Sequence, residues 1–166
     1  MRATPSHSAT TTAASAVGLH CTLVASAFNG EIVERLVQGA LELLVSRGAD
    51  PAQQRVVWVP GALEIPLVVQ AILARAQAPH AIICVGCVIK GGTDHYEHVC
   101  RATVDGIMKV SLDGVLRGTV VTNGVLTVAT LAQALERSGG AVGNKGAEAA
   151  LAAIATCAAV QSLGRV

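Results

Sequence analysis

The fold class is decided by the stretch HAIICVGCVIKGGTDH, residues 80–95 of the chain. Residues 80–89 are apolar almost without a break, which is typical of a strand buried on both faces inside a parallel sheet. Two glycines, a threonine and an aspartate follow, and these residue types favour a sharp turn at the end of the strand. The stretch therefore predicts an α/β fold with a parallel sheet that helices cover on both faces.

The rest of the chain alternates short β-branched runs with longer amphipathic runs, as expected of such a fold. The clearest helix covers residues 32–44, where apolar residues recur every three or four positions and the chain breaks at Gly48. The predicted strands are Leu19–Ala25, Val56–Val59, His80–Ile89 and Thr119–Val121. The other predicted helices are Leu63–Ala76, Tyr96–Leu112, a helix that ends at Ser138, and Asn144–Leu163.

Composition limits the classes of partner. The 166 residues suit one domain, and a net charge of +1 with 14% charged residues provides no basic surface for a nucleic acid. No apolar segment reaches the length of about 18 residues that a membrane span needs. We therefore expect small molecules and other protein chains as partners, and so few charges on an apolar chain favour surfaces buried between subunits.

Residues 1–16 lack apolar periodicity and the pattern of a secretory signal, so we expect a disordered tail ahead of a domain at 17–166. Their Ser, Thr and Ala content also fits part of an organelle transit peptide, which stays open as an alternative. The five cysteines are an odd number spread through apolar segments. This pattern is typical of reduced, buried cysteines rather than of a disulfide framework. We therefore expect a cytoplasmic protein.

In an open parallel sheet, ligands bind beyond the carboxyl ends of the strands. The chemically informative residues follow the predicted strands: Phe28–Asn29, residues 60–64 (PGALE), residues 90–95 (KGGTDH) and Asn123–Gly124. The glycines of KGGTDH permit close approach of an anion to backbone N–H groups, and Thr93 adds a donor. The alternative is an ordinary turn with Thr93 or Asp94 as the helix N-cap. No Lys-Ser or Lys-Thr follows the second glycine, so this is not a nucleotide-triphosphate loop.

His95 comes directly after this turn, where an imidazole can exchange protons with an anchored ligand, so it is the candidate acid/base. The alternative is a surface histidine. Cys84 and Cys87, with His95 and His98, imitate the spacing of zinc ligands or of a redox dithiol. Residues three apart on a strand point to opposite faces, so we expect neither a metal nor a redox site.

Four further residues each allow two interpretations. Phe28, the only phenylalanine, belongs to the core or stacks on a planar ligand. Glu64 either caps a helix or faces a ligand near the helix N-terminus. Arg137 and Lys145 bracket SGGAVGN, which we expect to be a flexible link, and these cations either compensate a phosphate or lie in solvent.

Six ordered blocks resemble the lumazine synthase family over about residues 18–163. The blocks are FN at 28–29, VPGALEIP at 59–66, GCVIKGGTDHYEHV at 86–99, NGVLT at 123–127, QALERSG at 133–139 and GNKGAEAA at 143–150. The resemblance implies a flavodoxin-like three-layer α/β/α sandwich with a four-stranded parallel sheet, assembled as homopentamers with an active site at each subunit interface. It also implies condensation of 5-amino-6-(D-ribitylamino)uracil with 3,4-dihydroxy-2-butanone 4-phosphate, without metal or cofactor. The alternative is a non-catalytic shell protein of the same fold that binds flavins or lumazines.

The resemblance also implies residue roles. Phe28 stacks on the pyrimidine, and the ribityl side and ring contact Ala62, Leu63 and Glu64. The backbone of Cys87, Val88 and Ile89 reads the uracil edge. Gly92 and Thr93 hold the phosphate with Arg137 as its cation, His95 transfers protons, and Lys145 lies near the same site.

Two residues depart from the family pattern. Asn123 stands where many members have Phe, so the pocket wall there is smaller and polar, and Lys90 replaces the more usual Arg. The short link SGGAVGNKG resembles members that form icosahedral shells. We therefore expect a 60-mer of twelve pentamers.

Overall fold

The computed structural model describes residues 14–164. The strands are β1 (Cys21–Ser26), β2 (Gln54–Val59), β3 (Ala81–Ile89), β4 (Val120–Val128), β5 (Ser138–Gly140) and β6 (Gly143–Asn144). The helices are α1 (Gly30–Ser46), α2 (Glu64–Leu73), α3 (His95–Val115), α4 (Leu131–Arg137) and α5 (Lys145–Ser162), and Pro51–Gln53 form one 3₁₀ turn.

The main sheet contains four parallel strands in the order β2-β1-β3-β4. Strand β3 is central and its first seven residues are buried, as its unbroken apolar sequence predicts. Helices lie on both faces of the sheet, so the predicted three-layer α/β/α architecture is confirmed. No helix within residues 14–164 is both long and apolar enough to cross a bilayer.

Two apolar cores lie on opposite faces of the sheet. One core packs α1 and α5 against the sheet, and the other packs α2 and α3. Successive residues of β3 alternate between the cores: Cys84 belongs to the α2–α3 core and Cys87 to the α1–α5 core. The prediction that these two thiols face opposite ways is confirmed, so they cannot share one metal ion while β3 stays intact.

Helices α1 and α5 approach each other closely at Gly146. A Cβ atom there would overlap the carbonyl oxygen of Leu36, so only glycine fits. Asn144 joins the same helices: its Oδ1 accepts from the backbone N–H of Gly146 at 2.9 Å and Ala147 at 3.1 Å, and its Nδ2 donates to Arg35 O at 2.8 Å. Gly146 and Asn144 thus fix the start of α5 against α1.

Two predictions at the end of the sheet are wrong. Asn123 and Gly124 do not follow the fourth strand, because β4 continues through them to Val128. A Cβ at Gly124 would lie 3.0 Å from both Ala149 Cβ and Cys84 O, so this glycine permits close packing of α5 rather than a turn. The segment SGGAVGN is not a flexible link, because β5 and β6 pair there as an antiparallel hairpin.

Of the predicted tail, residues 1–13 lie outside the described part of the chain. Ala16 is fully buried in the α1–α5 core, and its N–H donates to Arg47 O at 2.8 Å. Packing against the domain therefore begins at or before this residue.

Candidate active site

A cavity of about 360 Å³ opens at the carboxyl ends of β1, β2 and β3. The turns that follow these strands and the first helical turn of α3 line it. Nine of the predicted site residues meet around it: Phe28, Ala62, Leu63, Glu64, Cys87, Val88, Ile89, Thr93 and His95. Gly61, Gly91, Tyr96 and Val99 complete the lining.

Phe28 lies in the turn between β1 and α1 with its ring 71% exposed. Its backbone N–H donates to Pro60 O at 3.1 Å, which ties this turn to the end of β2. The next residue, Asn29, adopts a left-handed conformation (φ 56°) and donates from Nδ2 to Cys87 O at 2.8 Å. The ring is thus presented to the cavity from a fixed backbone, as stacking on a planar ligand requires.

Strand β3 extends beyond its neighbour β1. The pairing of β1 with β3 ends at Ala25 and Val85, whereas β4 pairs with β3 as far as Ile89. The last residues of β3 therefore have a backbone edge that no strand covers, and it faces the cavity at Cys87–Ile89. Such an edge offers alternating donors and acceptors to the rim of a flat heterocycle.

The three helices that follow β1, β2 and β3 have no side-chain cap within the described residues. The N-cap residues of α1, α2 and α3 are Asn29, Leu63 and Asp94, and none makes a side-chain capping bond. The other two helices have side-chain caps: Thr130 caps α4, which follows the carboxyl end of β4, and Asn144 caps α5. Free N–H groups and the helix dipole favour a polar or anionic ligand in this region.

The turn before α3 places Thr93 and His95 on the cavity wall, and Glu64 is the first residue of α2 across from them. Asp94 occupies the N-cap position, as the alternative of an ordinary turn expects, but its side chain makes no capping hydrogen bond. Gly92 belongs to the same turn and is exposed but does not line the cavity, whereas its neighbour Gly91 does.

Tyr96 is a cavity residue that the sequence interpretation did not single out. It is half-buried, and burial, with the neighbouring Cys100 side chain, raises the pKa of its phenol. Lys90 Nζ lies 6.0 Å from the centre of its ring. The sequence contains a signal for Tyr96. Val99 follows His95 by four residues and Tyr96 by three, and this spacing places all three residues along one side of a helix.

The Cys87 thiol lines the cavity but is not a nucleophile. Burial raises its pKa from 9.0 to about 11, so it remains protonated near neutral pH. Its contribution to the wall is therefore its shape and its backbone.

The remaining predicted site residues lie elsewhere on the same chain. Asn123, Arg137 and Lys145 line a second cavity of about 450 Å³ beside β4 and α5. Arg137 donates from Nη1 to Gln133 O at 3.1 Å, and Lys145 Nζ contacts Glu148 Oε2 at 2.6 Å. Within one described chain, these two cations are thus separated from the cavity that holds His95.

The sequence profile of the 6,7-dimethyl-8-ribityllumazine synthase family matches residues 18–161, which is nearly the whole chain. This range contains every residue of both cavities. The match agrees with the resemblance of the six sequence blocks and with the observed α/β architecture. The chain belongs to the 6,7-dimethyl-8-ribityllumazine synthase family, the transferases that form lumazine in riboflavin biosynthesis.

Proposed function

We propose that the protein condenses 5-amino-6-(D-ribitylamino)uracil with 3,4-dihydroxy-2-butanone 4-phosphate to give 6,7-dimethyl-8-ribityllumazine, phosphate and water. The observation that carries this proposal is the meeting of nine expected substrate-facing residues around one cavity at the strand ends. The cavity combines an exposed aromatic ring, a backbone edge that no strand covers and an imidazole. A planar pyrimidine with a polyol side chain suits that combination.

The pyrimidine stacks on Phe28 in this proposal, and its uracil edge hydrogen bonds with the backbone of Cys87–Ile89. Two observations support this placement: the Phe28 ring is exposed towards the cavity, and β3 extends past β1 beside it. Ala62, Leu63 and Glu64 then face the ring and the ribityl chain from the start of α2.

The phosphate binds at the turn of Gly92 and Thr93, with Arg137 of a neighbouring subunit as its cation. This assignment follows from the observation that Arg137 and Lys145 do not line the cavity of their own chain that contains His95. A second copy can supply them if the second cavity of one subunit faces the first cavity of the next. Asn123 also lines that second cavity, so it forms a polar part of the shared wall.

Most steps of this condensation are proton transfers between two bound reactants. The primary amine of the pyrimidine adds to the ketone and loses one water to form a Schiff base, and phosphate then leaves by elimination. The ribityl-bearing amine adds to the remaining carbonyl carbon and closes the ring with loss of a second water. His95 accepts and returns protons during these steps, and fixed positions of both reactants replace a bimolecular encounter. Arg137 stabilises the departing phosphate.

A homo-oligomer is part of the proposal, and the surface of α3 supports it. Val104, Met108, Leu112 and Val115 are 40–63% exposed and recur every three or four residues, which forms an apolar stripe along one side of the helix. Packing this stripe against a second copy removes it from water. We propose pentamers, twelve of which form a 60-subunit shell, and light scattering that gives a mass near five subunits would contradict the shell.

We also propose a cytoplasmic location for the protein. Cys21, Cys84, Cys87 and Cys157 are buried free thiols. A reducing compartment maintains such thiols.

Turnover of the two substrates tests the function. Purified protein is mixed with the ribitylamino-pyrimidine and the butanone phosphate while lumazine absorbance and free phosphate are followed together. We expect both products to appear in equal amounts. Binding of lumazine without turnover would contradict catalysis and favour a flavin- or lumazine-binding shell protein.

A further inference from the structure

A third cavity, of about 250 Å³, lies at the end of the sheet opposite the candidate active site. It is formed by the amino ends of β1 and β2 and by the segment that follows α2. We call it the Arg55–Arg75 cavity; its polar lining consists of His20, Thr22, Gln53, Arg55, Arg75 and Gln77.

The cavity brings two positively charged side chains to one wall. Arg55 and Arg75 both line it, and neither forms an ion pair within residues 14–164. No aspartate or glutamate of the described chain lines it. On a chain whose net charge is only +1, two guanidinium groups around one cavity are a local excess that attracts an anion.

The frame of the cavity is held by side-chain hydrogen bonds. Gln54 accepts from Cys21 N at 3.2 Å and donates to Leu19 O at 3.0 Å, which fixes the start of β1 against β2. His80 accepts from His20 N at 3.0 Å through Nδ1, and Thr119 Oγ1 donates to Pro79 O at 2.8 Å. A cavity with a fixed frame binds a ligand at a smaller cost in conformational entropy.

The donors fit an oxyanion with more than one negative charge. Thr22 and Arg55 are neighbours in the register of β1 and β2, so a hydroxyl and a guanidinium lie side by side, with Arg75 also on the wall. Guanidinium groups bind phosphate through paired N–H donors. Val57 and Ile72, both half-buried, add an apolar patch to the same wall.

We propose that the Arg55–Arg75 cavity is a second ligand site, independent of lumazine formation, for a compact phosphate monoester. The two arginines bind the phosphate and the apolar patch accepts the organic group. Free inorganic phosphate shares the charged chemistry but leaves the apolar patch without a partner.

Calorimetric titration at pH 7.5 tests the proposal with two probes, inorganic phosphate and phenyl phosphate. All proteins carry Arg137→Gln, which weakens phosphate binding at the proposed catalytic site. We expect phenyl phosphate to bind more tightly than inorganic phosphate, and Arg55→Gln or Arg75→Gln to lower its affinity about tenfold each. Arg35→Gln, which removes an exposed charge from α1 on the other face of the sheet, is the matched control and leaves affinity unchanged.

Three results would overturn the proposal. Undetectable binding of phenyl phosphate to the Arg137→Gln protein would show that the site does not exist. Equal affinity in the Arg55→Gln, Arg75→Gln and Arg35→Gln variants would show that Arg55 and Arg75 do not form it. Equal affinity for the two probes would show that the site binds phosphate without recognising an organic group. With Arg137 restored, Arg55→Gln and Arg75→Gln keep the turnover of the unsubstituted protein, because neither residue lies at the first or second cavity.

Discussion

His95 and His98 provide an internal comparison at the scale of single residues. Both are exposed residues in the first turn of α3, but only His95 lines the candidate active site. The proposed proton transfers therefore distinguish two histidines that the sequence places three positions apart.

We predict that His95→Ala lowers kcat by on the order of ten- to a hundredfold while KM changes little, because positioning of the two reactants persists without the imidazole. His98→Ala is the matched control and should retain wild-type kcat. Lumazine absorbance gives both constants. Equal kcat for the two variants would remove the proton-transfer role from His95.

The buried thiols predict how stability depends on alkaline pH. Burial raises the pKa of Cys84 from 9.0 to about 12, so the folded chain keeps this thiol protonated where the unfolded chain ionises it. The free energy of unfolding should therefore fall as pH rises from 9 towards 12, by about 1.4 kcal/mol per pH unit for each such thiol. Below pH 9 this contribution is fully present.

Cys84→Ala should make that fall less steep, because one ionising group is removed from the unfolded chain. Cys100→Ala is the comparison and should change the slope less, since the Cys100 thiol is only half-buried. Urea unfolding followed at pH 8, 9 and 10 gives the slopes. A Cys84→Ala slope as steep as that of the unsubstituted protein would show that burial of this thiol does not govern alkaline stability.

At the scale of elements, the sequence predicts most of the fold because its periodic patterns are strong. The run at residues 80–89 predicts β3, and the three- and four-residue repeat predicts α1. The sequence-based predictions are wrong where one residue type can serve either a turn or close packing. Asn123-Gly124 is a common turn signal, yet the Gly124 position lies against α5 inside β4, a contact that no local pattern reveals.

The hairpin of β5 and β6 shows the same limit. Gly139 and Gly143 have positive φ values of 112° and 89°, so the glycines that indicate flexibility are those that the tight turn requires. Ser138 is buried and its hydroxyl donates to Leu135 O at 3.3 Å. A short glycine-rich segment is therefore ambiguous until its neighbours are known.

Close packing of α1 on α5 leads to a prediction at this scale. Gly146→Ala should reduce the free energy of unfolding by about 3 kcal/mol or more, because the added methyl group overlaps the Leu36 carbonyl oxygen and forces the helices apart. Gly30→Ala is the matched control: it also changes a glycine in the first turn of a helix, but its Cβ has nothing within 4 Å. Chemical unfolding compares them, and equal stability would contradict the packing argument.

At the scale of the whole molecule, the candidate site divides between two cavities of one chain. The resemblance implies an active site at a subunit interface, but the order of motifs along the chain does not reveal which of the expected residues line which cavity. The turns after β1, β2 and β3 collect the residues expected to bind the pyrimidine. The region around β4 and α5 holds Arg137 and Lys145, which we expect to serve the phosphate of a neighbouring subunit.

The measurement that tests this account most directly is recovery of activity in mixed oligomers. His95→Ala and Arg137→Gln chains are unfolded, refolded together in equal amounts and assayed for lumazine formation, beside each variant refolded alone. If neighbouring subunits complete each other's sites, random mixing gives about a quarter of the interfaces an intact His95 and an intact Arg137, so activity should rise to about a quarter of wild type. Activity no higher than the mean of the two separate variants would contradict the shared site.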